Sequence, residues 1–218
     1  MGRPRAIVFD FNGTLSHDEP ILCDIYMELF AEHGKPLSAQ EYFGVLAGLS
    51  DPEIVRTWLG RDHPDVEEVI EERIARYRAE VADGSSVPPD LREAVRFAAE
   101  RVPLAIVSGA SRAEIEPVIA AAGIAECFSA IVPAEDVSRG KPHPDGYRRA
   151  NALLGQDIDA EDVLALEDTE AGVASAKGAG MRCFAVLGTL VPERLAGADE
   201  IVDRIDVALM RRIFEEGG

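Results

Sequence analysis

Apolar and polar positions follow two different rhythms along this chain. Short runs at 6–9, 104–107, 130–132, 163–166 and 183–186 are apolar throughout and read as buried strands, with a weaker candidate at 200–202. Between them, apolar residues recur three and four apart, as in Ile115, Val118, Ile119 and Ala122, the spacing of one helix face. "SRAE" opens that helix, where Ser111 and Glu114 can satisfy exposed amides reciprocally as a capping box. Strands apolar on both sides, alternating with helices, predict an α/β fold: a doubly wound parallel sheet covered on both faces.

Residues 17–86 break the alternation. Four helical segments, 20–33, 38–47, 51–59 and 65–82, succeed one another without a convincing strand. The last carries Val66, Ile70, Ile74, Tyr77 and Val81 on one face, with glutamates and arginines opposite. The expected organisation is a core of residues 1–16 and 87–218, with a small α-helical cap domain, 17–86, inserted after the first strand. Hinges are expected near 16–18 and 85–88. The closing "RRIFEEGG" is expected to fray beyond a last helix.

Composition narrows the field. The 218 residues are 47% hydrophobic and 28% charged, enough for one good core and a small accessory domain. A net charge of −18 disfavours nucleic acid and anionic membrane as partners. Cys23, Cys127 and Cys183 are odd in number and far apart, which argues against a disulfide framework or a zinc site. They read as small buried hydrophobes in a reducing compartment. With no signal-peptide pattern and no apolar run long enough to span a bilayer, the expected location is cytoplasmic.

Polar residues collect where the strands end, the place at which doubly wound sheets bind ligands. Asp10 ends the first strand and Ser108 the second. Lys141 lies in the loop "SRGKPHPDGY" after the third, and Glu167 and Asp168 close "VLALED". One such carboxylate is usually a helix cap, but four sites of these types in this order are hard to explain as caps. Their chemistry fits phosphoryl transfer. Asp10 and Asp168, with Glu167 nearby, offer hard oxygen ligands for Mg²⁺. Lys141 would neutralise phosphate charge, and Ser108 with the amides of Gly109 and Ala110 would donate to phosphate oxygens. Gly13 permits the sharp turn that exposes Asp10.

"DFNGT", "IVSGAS", "GKPHPDGY" and "LEDTEAGVASAKGAGM" together resemble the four motifs of the haloacid dehalogenase superfamily, most closely its phosphoglycolate phosphatase and β-phosphoglucomutase-like branch. The resemblance spans nearly the whole chain. It implies a Rossmann-like core with a cap, a small phosphorylated metabolite as partner, and Mg²⁺ as cofactor. Residue by residue it implies Asp10 as nucleophile, with Gly13, Thr14, Ser108, Gly109 and Lys141 about the phosphate. Asp10, Asn12, Glu167 and Asp168 would be at the metal.

The departure is Asn12, where the family's phosphatases usually carry an aspartate that protonates the leaving oxygen and then activates water. Asn12 keeps the backbone carbonyl for the metal but cannot exchange a proton. Such catalysis is worth about 10²–10⁴-fold, so the expectation is a slow or specialised phosphatase. One alternative is a C–P hydrolase resembling phosphonoacetaldehyde hydrolase, which forms a Schiff base through a cap lysine; the only cap lysine is Lys35. A non-catalytic phosphate- or partner-binding protein is the other. His17 reads as an exposed hinge residue and His143 as loop chemistry. Trp58, Tyr42 and Phe43 read as cap core, and Gly172 and Gly178 as sites of close helix packing. Leu46, Gly48, Leu49 and Ser50 are candidate neighbours of the substrate.

Overall fold

The computed structural model describes residues 2–155 and 157–215. Six parallel strands form one sheet: β1 (Ala6–Phe9), β2 (Leu104–Val107), β3 (Phe128–Val132), β4 (Val163–Glu167), β5 (Arg182–Val186) and β6 (Glu200–Val202). Their spatial order is β3-β2-β1-β4-β5-β6. The first strand therefore lies inside the sheet, flanked by β2 and β4. The strand candidates all appear. β3 starts two residues earlier than its apolar run suggested, because an edge strand need not be apolar on both sides; it is mostly half-buried.

Alternation within the strands sorts side chains by size. Ile7, Phe9, Leu104, Ile106, Leu164, Leu166 and Phe184 face one layer, covered by α5 (Pro89–Ala99), α6 (Arg112–Ala121) and α9 (Val207–Glu215). Ala6, Val8, Ala105, Val107, Ala165, Cys183 and Ala185 face the other, where the smaller side chains pack with α7 (Asp145–Leu154) and α8 (Glu170–Gly178). The α6 capping box forms as the sequence suggests, with Ser111 N 3.0 Å and Ser111 Oγ 2.7 Å from Glu114 Oε2. Cys23 and Cys183 are buried, Cys127 is half-buried, and all three are free thiols. No helix among the described residues is long and apolar enough to cross a membrane. Helix α9 runs to Glu215; residues 216–218, where fraying was expected, lie outside the described residues.

Between β1 and α5 stand α1 (Glu19–Glu32), α2 (Ala39–Glu41, continued by a wider turn over Tyr42–Leu46), α3 (Asp51–Leu59) and α4 (Val66–Glu80). The two connections to the sheet touch: Ser16 Oγ donates to Ser86 Oγ at 2.8 Å, and His17 N to Ser86 O at 2.7 Å. One expectation needs correction. The buried residues of α4 are Val66, Val69, Arg73 and Tyr77, while Ile70 and Ile74 are only half-buried. An arginine expected on the solvent face is thus 3% exposed. It is tolerated there because Asp51, on α3, and Glu114, on α6, each take one of its terminal nitrogens.

Candidate active site

Strand register builds the site. Phe9 pairs with Ile106 on one side and Leu166 on the other, so the residues that follow emerge together at the carboxyl edge. Asp10 N donates to Leu166 O at 2.9 Å, the last bond of that ladder. The chain then turns hard, with Leu15 N and Ser16 N both donating to Phe11 O at 2.8 and 2.9 Å. Gly13, at φ +76°, makes the turn possible; a Cβ there would lie 1.9 Å from Asp168 Oδ2. Just past β2, Ser108 N donates to Val132 O at 3.0 Å, and Ser108 Oγ accepts from Ala110 N at 3.0 Å. The serine hydroxyl proton remains available to a ligand.

Three carboxylates meet here. One oxygen each of Asp10, Glu167 and Asp168 lies within 4.8 Å of the others, and all three residues are buried. The Lys141 ammonium donates to Asp10 Oδ1 and Glu167 Oε1. Tyr147 OH also donates to Glu167 Oε1 at 2.8 Å, while the amides of Asp168 and Thr169 donate to Oε2 at 3.1 and 3.3 Å. Thr14 Oγ1, at 3.1 Å, and Thr189 Oγ1 hold Asp168.

Charge balance follows from this geometry. Three ionised carboxylates against one ammonium leave an excess of negative charge out of water. Burial, opposed by Lys141 and reinforced by Glu167, pushes the Asp10 carboxyl up to about 7. Burial and the charges of Asp10 and Glu167 hold Asp168 well above the usual range. Burial works against the Lys141 ammonium, but its two carboxylate partners overcome that and keep it protonated. A buried cluster of hard oxygen donors with uncompensated charge suits a divalent cation such as Mg²⁺.

A cavity of about 710 Å³ opens from this cluster toward α1, α3 and α4. Asp10, Asn12, Ser108, Gly109, Ala110 and Lys141 stand on its wall. Gly13 and Thr14 lie behind it; Thr14 is fully buried, and its hydroxyl is spent on Asp168 rather than open to a phosphate. Asn12 Nδ2 donates to Asp18 Oδ2 at 3.0 Å and to Tyr77 OH at 3.5 Å, which ties its amide to the start of the helical insert. Gly48, Leu49 and Ser50 line the cavity as expected; Leu46 is fully buried and does not. His17 is exposed and off the cavity wall, whereas His143 is on it, with Nδ1 3.0 Å from Asp145 Oδ1. Lys35 is exposed, 6.0 Å from the Trp58 ring centroid and away from the cavity.

Several residues of the site were not legible beforehand. Trp58 stacks on Phe30 as cap packing predicts, but Tyr42 also turns its hydroxyl to Glu19 Oε2, 3.2 Å away on the cavity wall. Gly172 leaves room for the Glu167 carboxyl, which a Cβ would meet at 1.9 Å, whereas a Cβ at Gly178 would stand 3.5 Å from Pro144, an ordinary contact that does not require glycine. Tyr147 and Thr189 hold the carboxylates from loops and helices far along the chain. Their signal is three-dimensional, because a lone tyrosine or threonine carries no spacing to read.

Comparison with known proteins agrees with this architecture. The haloacid dehalogenase-like hydrolase profile matches residues 7–186. The chain is 28% identical to validoxylamine A 7'-phosphate phosphatase of Streptomyces hygroscopicus subsp. limoneus, over 91% of this chain and 92% of that protein. It is 31% identical to hexitol phosphatase B of Escherichia coli (strain K12), over 85% and 86% respectively. The structure of CbbY from Rhodobacter sphaeroides in complex with phosphate superposes with a TM-score of 0.80 at 28% identity, covering 93% of this chain and 95% of that one. With the matched region running from β1 to the end of β5 and taking in all four strand-end motifs, the chain belongs to the haloacid dehalogenase-like hydrolase family.

Proposed function

We propose that this protein is a phosphatase of a small phosphorylated metabolite, working through an aspartyl phosphate on Asp10 with Mg²⁺ as cofactor. The observation that carries the reading is the convergence of Asp10, Ser108 and Lys141 on one cavity wall, with Glu167 and Asp168 directly behind. Asp10, Glu167 and Asp168, with the Asn12 carbonyl, would hold the metal. When bound, Mg²⁺ would offset the repulsion between the carboxylates and the incoming phosphate. The named phosphatases among the relatives support the same class of substrate.

The chain's own groups divide the work. The Asp10 carboxylate attacks phosphorus, and Lys141 neutralises charge on the phosphate oxygens. The Ser108 hydroxyl and the Gly109 and Ala110 amides donate to the same group. Residues 17–86 act as a cap whose touching hinge segments set the opening of the cavity, and the walls at Gly48–Ser50 shape what enters. Asn12 cannot supply a proton, so turnover depends on the leaving group or on a donor elsewhere in the cavity. The position of Lys35 weighs against Schiff-base chemistry. The test is phosphate release across a panel of phosphoesters with Mg²⁺, for the parent and Asp10→Asn. Loss of more than about 10³-fold in the variant is expected, since it removes the nucleophile. Undiminished turnover would overturn the assignment.

A further inference from the structure

The proton that Asn12 cannot give has another source on the same wall. Glu19, the first residue of α1, lines the cavity together with Asp10, Asn12, Ser108 and Lys141. The other carboxylates on the wall are committed. Asp10 holds Lys141, Asp51 holds Arg73 and Tyr26, Glu53 caps Ser50, and Glu114 holds Arg73 and Ser111. Glu19 accepts one bond, from Tyr42 OH to Oε2 at 3.2 Å, and its Oε1 has no partner among the described residues. Asn12, by contrast, has its amide turned to Asp18 and Tyr77.

We infer that Glu19 is the general acid and base of this site, a catalytic residue that replaces the missing carboxyl at position 12; the inference rests on the phosphatase reading above. As the Asp10 oxygen–phosphorus bond forms and the ester P–O bond breaks, the Glu19 carboxyl proton passes to the departing oxygen and the alcohol leaves. The resulting carboxylate takes a proton from the water that attacks the phosphorus of aspartyl phosphate. Inorganic phosphate is released, and Asp10 and protonated Glu19 are restored. The surroundings favour a carboxyl able to do both. Burial first, then the charge of neighbouring Asp18, lifts Glu19 to about 7; Tyr42 opposes this and Asp10 adds to it. Asp168 also feels its charge from the sheet side, as do Cys23 and Tyr26 on its own helix. A donor near neutrality is the most effective at neutral pH.

The experiment compares the parent with Glu19→Gln, Glu19→Asp and the double variant Asn12→Asp/Glu19→Gln. Two esters are used: an alkyl phosphate that the parent turns over, and p-nitrophenyl phosphate, whose phenolate departs without acid help. Glu19→Gln is expected to lose about 10²-fold or more on the alkyl ester and less than about tenfold on the aryl ester. Glu19→Asp should retain more alkyl turnover than Glu19→Gln, and Asn12→Asp should restore at least about tenfold of it in the Glu19→Gln background. Equal losses on the two esters, or alkyl turnover within about threefold of the parent, would overturn the inference. A parent that releases phosphate from no alkyl phosphate and not from p-nitrophenyl phosphate would instead overturn the phosphatase reading on which it rests.

Discussion

Replacing Arg73 by methionine tests whether α4 is joined to the core by a buried ion triad. The perturbation removes a guanidinium that is 3% exposed and leaves Glu114, 1% exposed, without its cation. Breaking a buried pair costs about 3–5 kcal/mol, most of it the charge left behind. Two features move the figure to the low end. Asp51 is 21% exposed at its side chain and keeps the Tyr26 hydroxyl at 2.6 Å, so it can rehydrate. Arg73 Nε is itself a buried donor without a partner, a cost that methionine removes. The expected loss is therefore about 3 kcal/mol. With an unfolding entropy of about 2.1 cal/mol/K per residue, a chain of 218 residues should lose about 7 °C in Tm. Thermal and urea melts followed by far-UV circular dichroism measure it. Fluorescence of Trp58, the single tryptophan, reports α3 in parallel and shows whether the helical insert comes away first. Adding Glu114→Gln removes the stranded charge while keeping a side chain able to cap Ser111, and should recover about half of the loss. If Arg73→Met melts within about 1 kcal/mol of the parent, or the double variant is less stable than the single, Arg73 does not neutralise Glu114 and the argument fails.

Gly13→Ala places a Cβ 1.9 Å from Asp168 Oδ2 at φ +76°, and should weaken Mg²⁺ binding by about 10–100-fold, the usual effect of displacing the support of a metal ligand. Magnesium titration checks it, and unchanged affinity would show that Asp168 is not a ligand. The same titration carries a pH dependence. With Asp10 near 7 and Asp168 raised, protons compete with the cation, so affinity should rise about tenfold per pH unit for each proton displaced as the pH climbs toward 8. Calorimetry in buffers of different ionisation heat should detect the released protons; a flat profile with no release would contradict the raised carboxyls.

What could be read from the chain alone shares one physical basis. Strands buried on both faces must be apolar throughout, and helices on a sheet must repeat at their own period, so 6–9, 104–107 and the helix after Ser111 announced themselves locally. The strand-end residues Asp10, Ser108, Lys141, Glu167 and Asp168 were visible for the same reason, since each is a polar break at the close of an apolar run or in the loop after one. Register then brought them together.

The polar faces were not legible. Arg73 looks like any helix-surface arginine until α3 and α6 place Asp51 and Glu114 against it, and periodicity assigned its position to solvent. Thr14 looks like part of a phosphate loop until Asp168, 154 residues further on, takes its hydroxyl. Glu19 looks like a helix start until the cavity forms around it. Hydrophobic pattern is a one-dimensional record of burial, and it determined the sheet, the helices and the strand ends of this protein. Which polar groups compensate one another depends on contacts between distant segments, and only the tertiary structure decided that.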